Sequence, residues 1–319
     1  MSWRGFPATI FEMNGIVDSF GACFCAIRAM AIVAAIAAAG HCSREAPPHA
    51  ASRPTVPRRI ISISPNSTEI IGALGAADRL VAVSDFCLWP EQVKRLPRVG
   101  GLFDANPEAI LKLEPDLVVL RGMNRTVEQL CLDNGIALFR DKTDSFEDIF
   151  TTLQALGDIL DCSERAQAAE KDVRDRLVRL AELLEGRPRP RVLITIARDG
   201  SAIASVMTAS KGSFVNDMIH FAGGVNVFGD LSTAYPSISQ EAILVARPDV
   251  IIEAMPEVKL TPELEARFQG QWKAFPMVPA VQNGRVYIFN DENITIPSPR
   301  IINVIEKIAK LLHPEVKFD

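Results

Sequence analysis

The chain has 319 residues, 48% hydrophobic and 23% charged, with a formal net charge of −5. That is room for a short leader and two lobes of ordinary domain size. No basic excess marks a nucleic-acid partner, and outside the leader no apolar run approaches the roughly 20 residues of a membrane span.

The first element is a leader. Arg28 precedes an apolar run from residue 29 to 39, with small residues up to Gly40. A run of roughly 11 residues suits the core of a signal peptide and is short for a span. Residues 1–42 are therefore expected to direct export to the periplasm or another extracytoplasmic space. Glu12 and Asp18 do not suit a positively charged start, which leaves Met13 as an alternative first residue. Cys42 is a candidate lipid anchor, although His41 stands where a lipoprotein signal has a small residue. Residues 43–58, with Pro47, Pro48, Pro54 and Pro57, read as a flexible tether.

An N-terminal α/β lobe is predicted over residues 59–145. Its strands are expected at 59–64, 80–84, 116–120 and 137–139, with a helix from Pro65 to a stop at Gly75. Residues 146–187 follow as the connection between lobes. Ile149, Leu153, Leu156 and Ile159 keep a 3–4 spacing. Ser163 is placed to cap a second run, in which Ala166, Ala169, Val173, Leu177, Leu180 and Leu184 share a face. This reads as a single long rigid interlobe helix, about 22 residues and 33 Å. Such a strut lets the lobes open and close little. A C-terminal α/β lobe is predicted over 190–316, with strands at 191–196, 250–253 and 285–289 and a helix at 212–221.

The two lobes share a phrase. Glu108-Ala-Ile-Leu-Lys-Leu-Glu-Pro115-Asp116-Leu-Val-Val119 recurs as Glu241-Ala-Ile-Leu-Val-Ala-Arg-Pro248-Asp249-Val-Ile-Ile252. Each copy reads as a short helix with an acid at its start, a proline stop, and a buried parallel strand. The fold class is thus α/β, two Rossmann-like lobes with a ligand cleft between them. Arg121, Met123, Asn124 and Arg125 follow the strand ending at Leu120, where open α/β lobes bind ligands; the arginines there suit an anionic group, or the loop is simply solvated.

Of six cysteines, Cys87, Cys131 and Cys162 lie beyond the leader, an odd number with no CxxC pair. They make no zinc site, and one bridge among them and three buried thiols are both open. The four histidines do not cluster as metal ligands. No Walker A loop, GxGxxG, GxSxG or HExxH supports an enzyme.

The ordered set SPNSTEIIGALG, SDFCLWPEQVKRLPRVGG, NPEAILKLEPDLVVL, a long helical stretch, GG, YPSISQEAIL, RPDVII and SPRII, over about residues 58–315, resembles the helical-backbone periplasmic binding proteins. These are ABC-importer receptors for cobalamin, haem and iron-siderophores. The runs Pro90-Glu91-Gln92, 96–99 and 298–302 are most similar to the cobalamin-binding members. The resemblance implies a non-enzymatic, monomeric receptor without an intrinsic cofactor. It would deliver a metal chelate, best a corrinoid, to a permease dimer with its ATPase. It implies that Glu108 and Glu241, one per lobe, dock onto the permease; Glu69 is a lesser candidate. Phe86 and Tyr235 match aromatic positions of the site, with Trp89 and Phe103 nearby. Leu102 stands where the cobalamin-binding members place one tryptophan, and a second falls near Arg121. Haem-binding members commonly ligate iron through a tyrosine near 86–89, where this chain has none. A ferric siderophore remains an alternative, as does a sensor subunit.

Overall fold

The computed structural model describes residues 55–198, 203–256 and 258–318. The leader, Cys42 and most of the tether lie outside them. The first sheet is built from apolar, largely β-branched runs that parallel pairing buries on both faces. These are β1 (Ile60–Ser62), β2 (Leu80–Val83) and β3 (Leu117–Arg121); β4 (Ala137–Asp141), at the sheet edge, is only partly buried. Their order is β2-β1-β3-β4, all parallel. Helices α1 (Pro65–Ala73), α2 (Pro107–Lys112) and α3 (Arg125–Asp133) are the crossovers. The stretch after Arg121 is therefore not all loop. Asn124 accepts from the Val127 amide and caps α3, so Arg125 is the first residue of a helix.

Two helices, not one, connect the lobes: α4 (Phe146–Ile159) and α5 (Ser163–Leu183). The single-helix expectation fails at Asp161, whose left-handed φ of 54° reverses the chain. Ser163 does not cap α5; Cys162 holds that position and the Ser163 hydroxyl bonds Asp158 at 2.6 Å. Ile159 is partly exposed, and Leu160 is buried in its place. The pair still ties the lobes together. Phe146, Ile149, Phe150, Val173 and Leu180 pack in the core of the second sheet, while Leu153, Leu156, Leu160 and Ala166 pack in that of the first.

The second sheet contains β5 (Arg191–Arg198), β6 (Ser205–Thr208), β7 (Val225–Asn226), β8 (Ser237–Ser239), β9 (Val250–Ala254) and β10 (Val286–Phe289). Its order is β10-β9-β5-β6-β8, with β7 also on β5. The β10-β9-β5 half is parallel, and β6 and β8 are antiparallel additions whose short, polar-flanked sequences gave no strand signal. Around it lie α6 (Phe214–Phe221), α7 (Gln240–Ala246), α8 (Pro262–Gln271), α9 (Pro279–Gln282) and α10 (Ile301–Leu312).

The duplicated phrase is duplicated in space. It forms α2–β3 in one lobe and α7–β9 in the other. Each helix is capped two residues before its glutamate, by Asn106 or Ser239. Each ends on a left-handed residue directly before the proline, Glu114 (φ 45°) or Arg247 (φ 46°). Asp116 then accepts from the backbone amides of Arg58 and Arg59 at 2.7 and 2.9 Å. Asp249 accepts from the amide of Arg191 at 2.9 Å. The guanidinium of Arg59 returns to the Leu113 carbonyl and that of Arg191 to the Ala246 carbonyl. One device thus satisfies the open backbone groups at the start of both sheets.

Candidate functional site

A cavity of about 1000 Å³ opens between the two sheets. Most of its lining comes from the first lobe, at the C-terminal ends of strands. Residues 63–66 and Glu69 come from the turn into α1, residues 84–86 and Leu88 from the loop after β2, residues 101–104 from the loop before α2, and Arg121 from the end of β3. The second lobe adds Pro256, Glu292 and residues 295–297. This is where parallel sheets leave loops free to diverge around a ligand.

The walls are mainly apolar, and Phe86 and Phe103 are 63% and 89% exposed. Two such rings on one cavity wall present flat apolar faces to the cavity. The loop that carries Leu102 and Phe103 is held by Asn124, whose side-chain amide donates to the Leu102 carbonyl at 2.6 Å. Gly101 is buried there, and the position holds glycine because a Cβ would meet Asp104 Oδ1 at 2.7 Å and the Phe86 ring at 3.0 Å. Arg121 does not stand free. It donates to the Thr143 carbonyl at 3.1 Å and pairs with Asp144 at 3.4 Å. Tyr235 lies in the same corner, with 37% of its surface exposed. Burial pushes its hydroxyl pKa up, and the charges of Arg121, Asp144 and Asp217 reach it. Tyr235 and Trp89 are not among the described residues that line the cavity.

Below the cavity the start of α1 is locked to the end of β4. Ser67 donates to Asp141 at 2.7 Å, and the Asn66 side-chain amide donates to Asp141 and to Thr143. Burial pushes the Asp141 carboxyl up, and its Oδ1 has no protein partner. The sequence reading missed this knot; the polar run Asn66-Ser67-Thr68 in an otherwise apolar helix was its available signal.

Glu69 joins the lobes. It is 3% exposed on α1, yet it accepts from Ser298 Oγ at 2.5 Å and from Arg300 at 2.8 Å, both from the segment leading into α10. The Arg300 guanidinium lies 4.7 Å from the Trp89 ring centroid. Trp89 reaches that position because residue 72 is glycine; a Cβ there would come within 2.7 Å of the ring. Burial raises the Glu69 pKa to about 7, Ser298 and Arg300 only partly opposing it. Trp89 is thus part of an interlobe clasp, and Ser298-Pro299-Arg300 supplies its other half. Glu108 and Glu241 are exposed at equivalent helix positions. Cys87, Cys131 and Cys162 are free thiols, so no bridge forms among them. No helix of the described residues is long and apolar enough to cross a membrane.

The family model described as periplasmic binding protein matches residues 60–292. The chain belongs to this family. Periplasmic binding proteins are extracytoplasmic and non-enzymatic. A vitamin B12-binding protein of Vibrio cholerae is 29% identical over 268 residues, 83% of this chain and 92% of that one. The crystal structure of the periplasmic vitamin B12 binding protein of Vibrio cholerae covers 81% of this chain and 97% of that one, with a TM-score of 0.67 and 29% identity. A periplasmic heme binding protein from Pseudomonas aeruginosa has a TM-score of 0.71 at 25% identity, covering 82% of this chain and 94% of that one.

Proposed function

We propose that this periplasmic binding protein is the receptor of an ABC importer for a large metal chelate, best a corrinoid. The observation that carries the reading is the cavity. At about 1000 Å³ it stands at the upper end of ordinary small-molecule sites, far larger than a free ion or a single amino acid needs. Its open aromatic rings suit the faces of a flat macrocycle. Phe86, Leu102 and Phe103 are assigned to the walls, Arg121 to the rim, and Trp89 and Tyr235 to the surrounding frame. Glu108 and Glu241 are assigned to docking on the two permease subunits, one acid per lobe for a two-fold partner.

Haem is the second reading, favoured by the higher TM-score to the heme binding protein. Against it, the described lining residues include no tyrosine, histidine, cysteine or methionine to ligate iron. Titration of the purified chain with cyanocobalamin, haemin and a ferric siderophore, followed in the ligand's visible spectrum, separates the readings. Saturable corrinoid binding is expected; haemin binding without it overturns the assignment. For docking, Glu108→Ala with Glu241→Ala should abolish uptake in cells while leaving affinity for the ligand unchanged.

A further inference from the structure

The cavity wall carries an uneven charge. Asp85 and Asp104 line it from the first lobe and Glu292 from the second. Asp104 Oδ1 accepts from the Gly101 amide at 2.8 Å, which leaves its other oxygen for a ligand. Asp85 and Glu292 are exposed and have no cationic partner among the described residues. The cations nearby are already engaged. Arg121 is turned to Thr143 and Asp144, and Arg300 is bound to Glu69. Arg98 donates to the backbone carbonyls of Ser84 and Cys87 and does not line the cavity. With Glu69 held by Ser298 and Arg300, the apolar walls sit within a rim of three further carboxylates, contributed by both lobes.

We infer that Asp85, Asp104 and Glu292 set specificity by charge: the site takes chelates whose rim carries neutral amides or net positive charge and rejects those whose rim carries carboxylates. This rests on reading the cavity as the ligand site. Amide N–H groups on a ligand rim would donate to these carboxylates in charge-assisted hydrogen bonds. A carboxylate in the same place would meet a like charge in a cleft that excludes part of the water, and repulsion of this kind is how sites turn away near-isosteric competitors. Hydrolysing one rim amide to an acid barely alters a ligand's shape, so the discrimination it meets is electrostatic. At separations of several ångströms in a partly wet cleft, each added carboxylate should weaken binding on the order of tenfold.

The test is a titration of the chain and of its Asp85→Asn/Glu292→Gln variant, at low and high salt, with three probes: cyanocobalamin, its derivative with one peripheral amide hydrolysed to the acid, and haemin. Both substituted residues are exposed and bear no fold contacts of note, so the variant should keep its stability, checked by thermal melting. The chain is expected to bind cyanocobalamin roughly tenfold more tightly than the acid at low salt. Salt should narrow that gap by screening, and the variant, which keeps only Asp104 of the three acids, should narrow it severalfold at low salt. Equal affinity for amide and acid, or a gap of unchanged size in the variant, overturns this inference and leaves the corrinoid reading standing. Binding of haemin with no binding of cyanocobalamin sinks both.

Discussion

The two lobes are alike at one end of their sheets and unlike at the other. At the starts of β3 and β9 the same device recurs: a left-handed residue, a proline, an aspartate gripping the amide of the neighbouring strand, and an arginine returning to the helix carbonyls. At the opposite ends, the buried charges are handled differently. The first lobe surrounds Asp141 with the neutral donors of Asn66, Ser67 and Thr143. The second buries an ion pair, Arg198 to Glu253 at 2.6 Å, with side chains 4% and 2% exposed; Trp272 donates to the same carboxylate at 2.8 Å, and Phe268 faces the guanidinium at 5.1 Å. The first arrangement leaves its loops free to line the cavity, and those loops supply most of it. Backbone closure is a problem common to both lobes and keeps a common solution. Ligand contact is not common to both, and there the lobes part.

The largest effect should come from breaking the buried pair. Glu253→Ala strands the Arg198 guanidinium and the Trp272 indole N–H in the core, at a cost of about 3–5 kcal/mol. Asp141→Asn should cost only about 1 kcal/mol, because its hydrogen-bond partners are uncharged side chains that can pair again with an amide, while Arg121, whose charge also reaches it, keeps Thr143 and Asp144. Urea denaturation of both variants checks the contrast. Equal losses would mean that the two buried acids do the same job. Replacing Arg198 and Glu253 together by Met and Leu should recover most of the loss, since a buried pair gains little over apolar packing.

The clasp between the lobes comes next. Glu69 holds a proton up to about pH 7 in the folded chain, whereas an unfolded glutamate releases it near its ordinary value of 4.5. The folded state therefore binds more protons between those values. Its advantage is full below 4.5 and is lost as pH rises through 7, by an amount of order 3 kcal/mol. Glu69→Gln has no such titration. The difference in stability between variant and wild type should swing toward the variant by that amount from pH 4.5 to 7.5. A flat difference would show that Ser298 and Arg300 hold Glu69 ionised throughout.

Much of this layout is legible in the chain itself. The apolar runs placed β1, β3, β5, β9 and β10 to within about two residues, because parallel strands buried on both faces leave a continuous hydrophobic signature. The repeated Glu-Ala-Ile-Leu phrase marked the two equivalent units. The clasp and the buried pair were not legible for a different reason. Ser298 lies 229 residues from Glu69, and no local pattern reports such a meeting. Glu253 did leave a trace, a lone acid inside Val-Ile-Ile-Glu-Ala, which is the mark of a buried charge with a partner elsewhere. Arg121 was legible only in part. Its place at a strand end, open to an anionic ligand or to solvent, was legible, but its partner Asp144, three residues beyond β4, was not.

The smallest effect tests the likeness itself. Asp116 accepts two backbone amides and Asp249 one. Each hydrogen bond of this kind contributes about 1 kcal/mol net, and both sites lie at solvent-exposed strand starts, where water can take over part of the role. Asp116→Ala should thus destabilise the chain by about 2 kcal/mol and Asp249→Ala by about 1 kcal/mol, measured by urea denaturation. The Asp→Asn variants should recover part of each loss, because an amide oxygen still accepts from the backbone. If Asp249→Ala proves the costlier, the seam in the second lobe carries a load beyond its hydrogen bond. The additional strands on that sheet would then be the place to look, since β7 pairs with β5 directly beside Arg191 and would share any disturbance at the start of that strand.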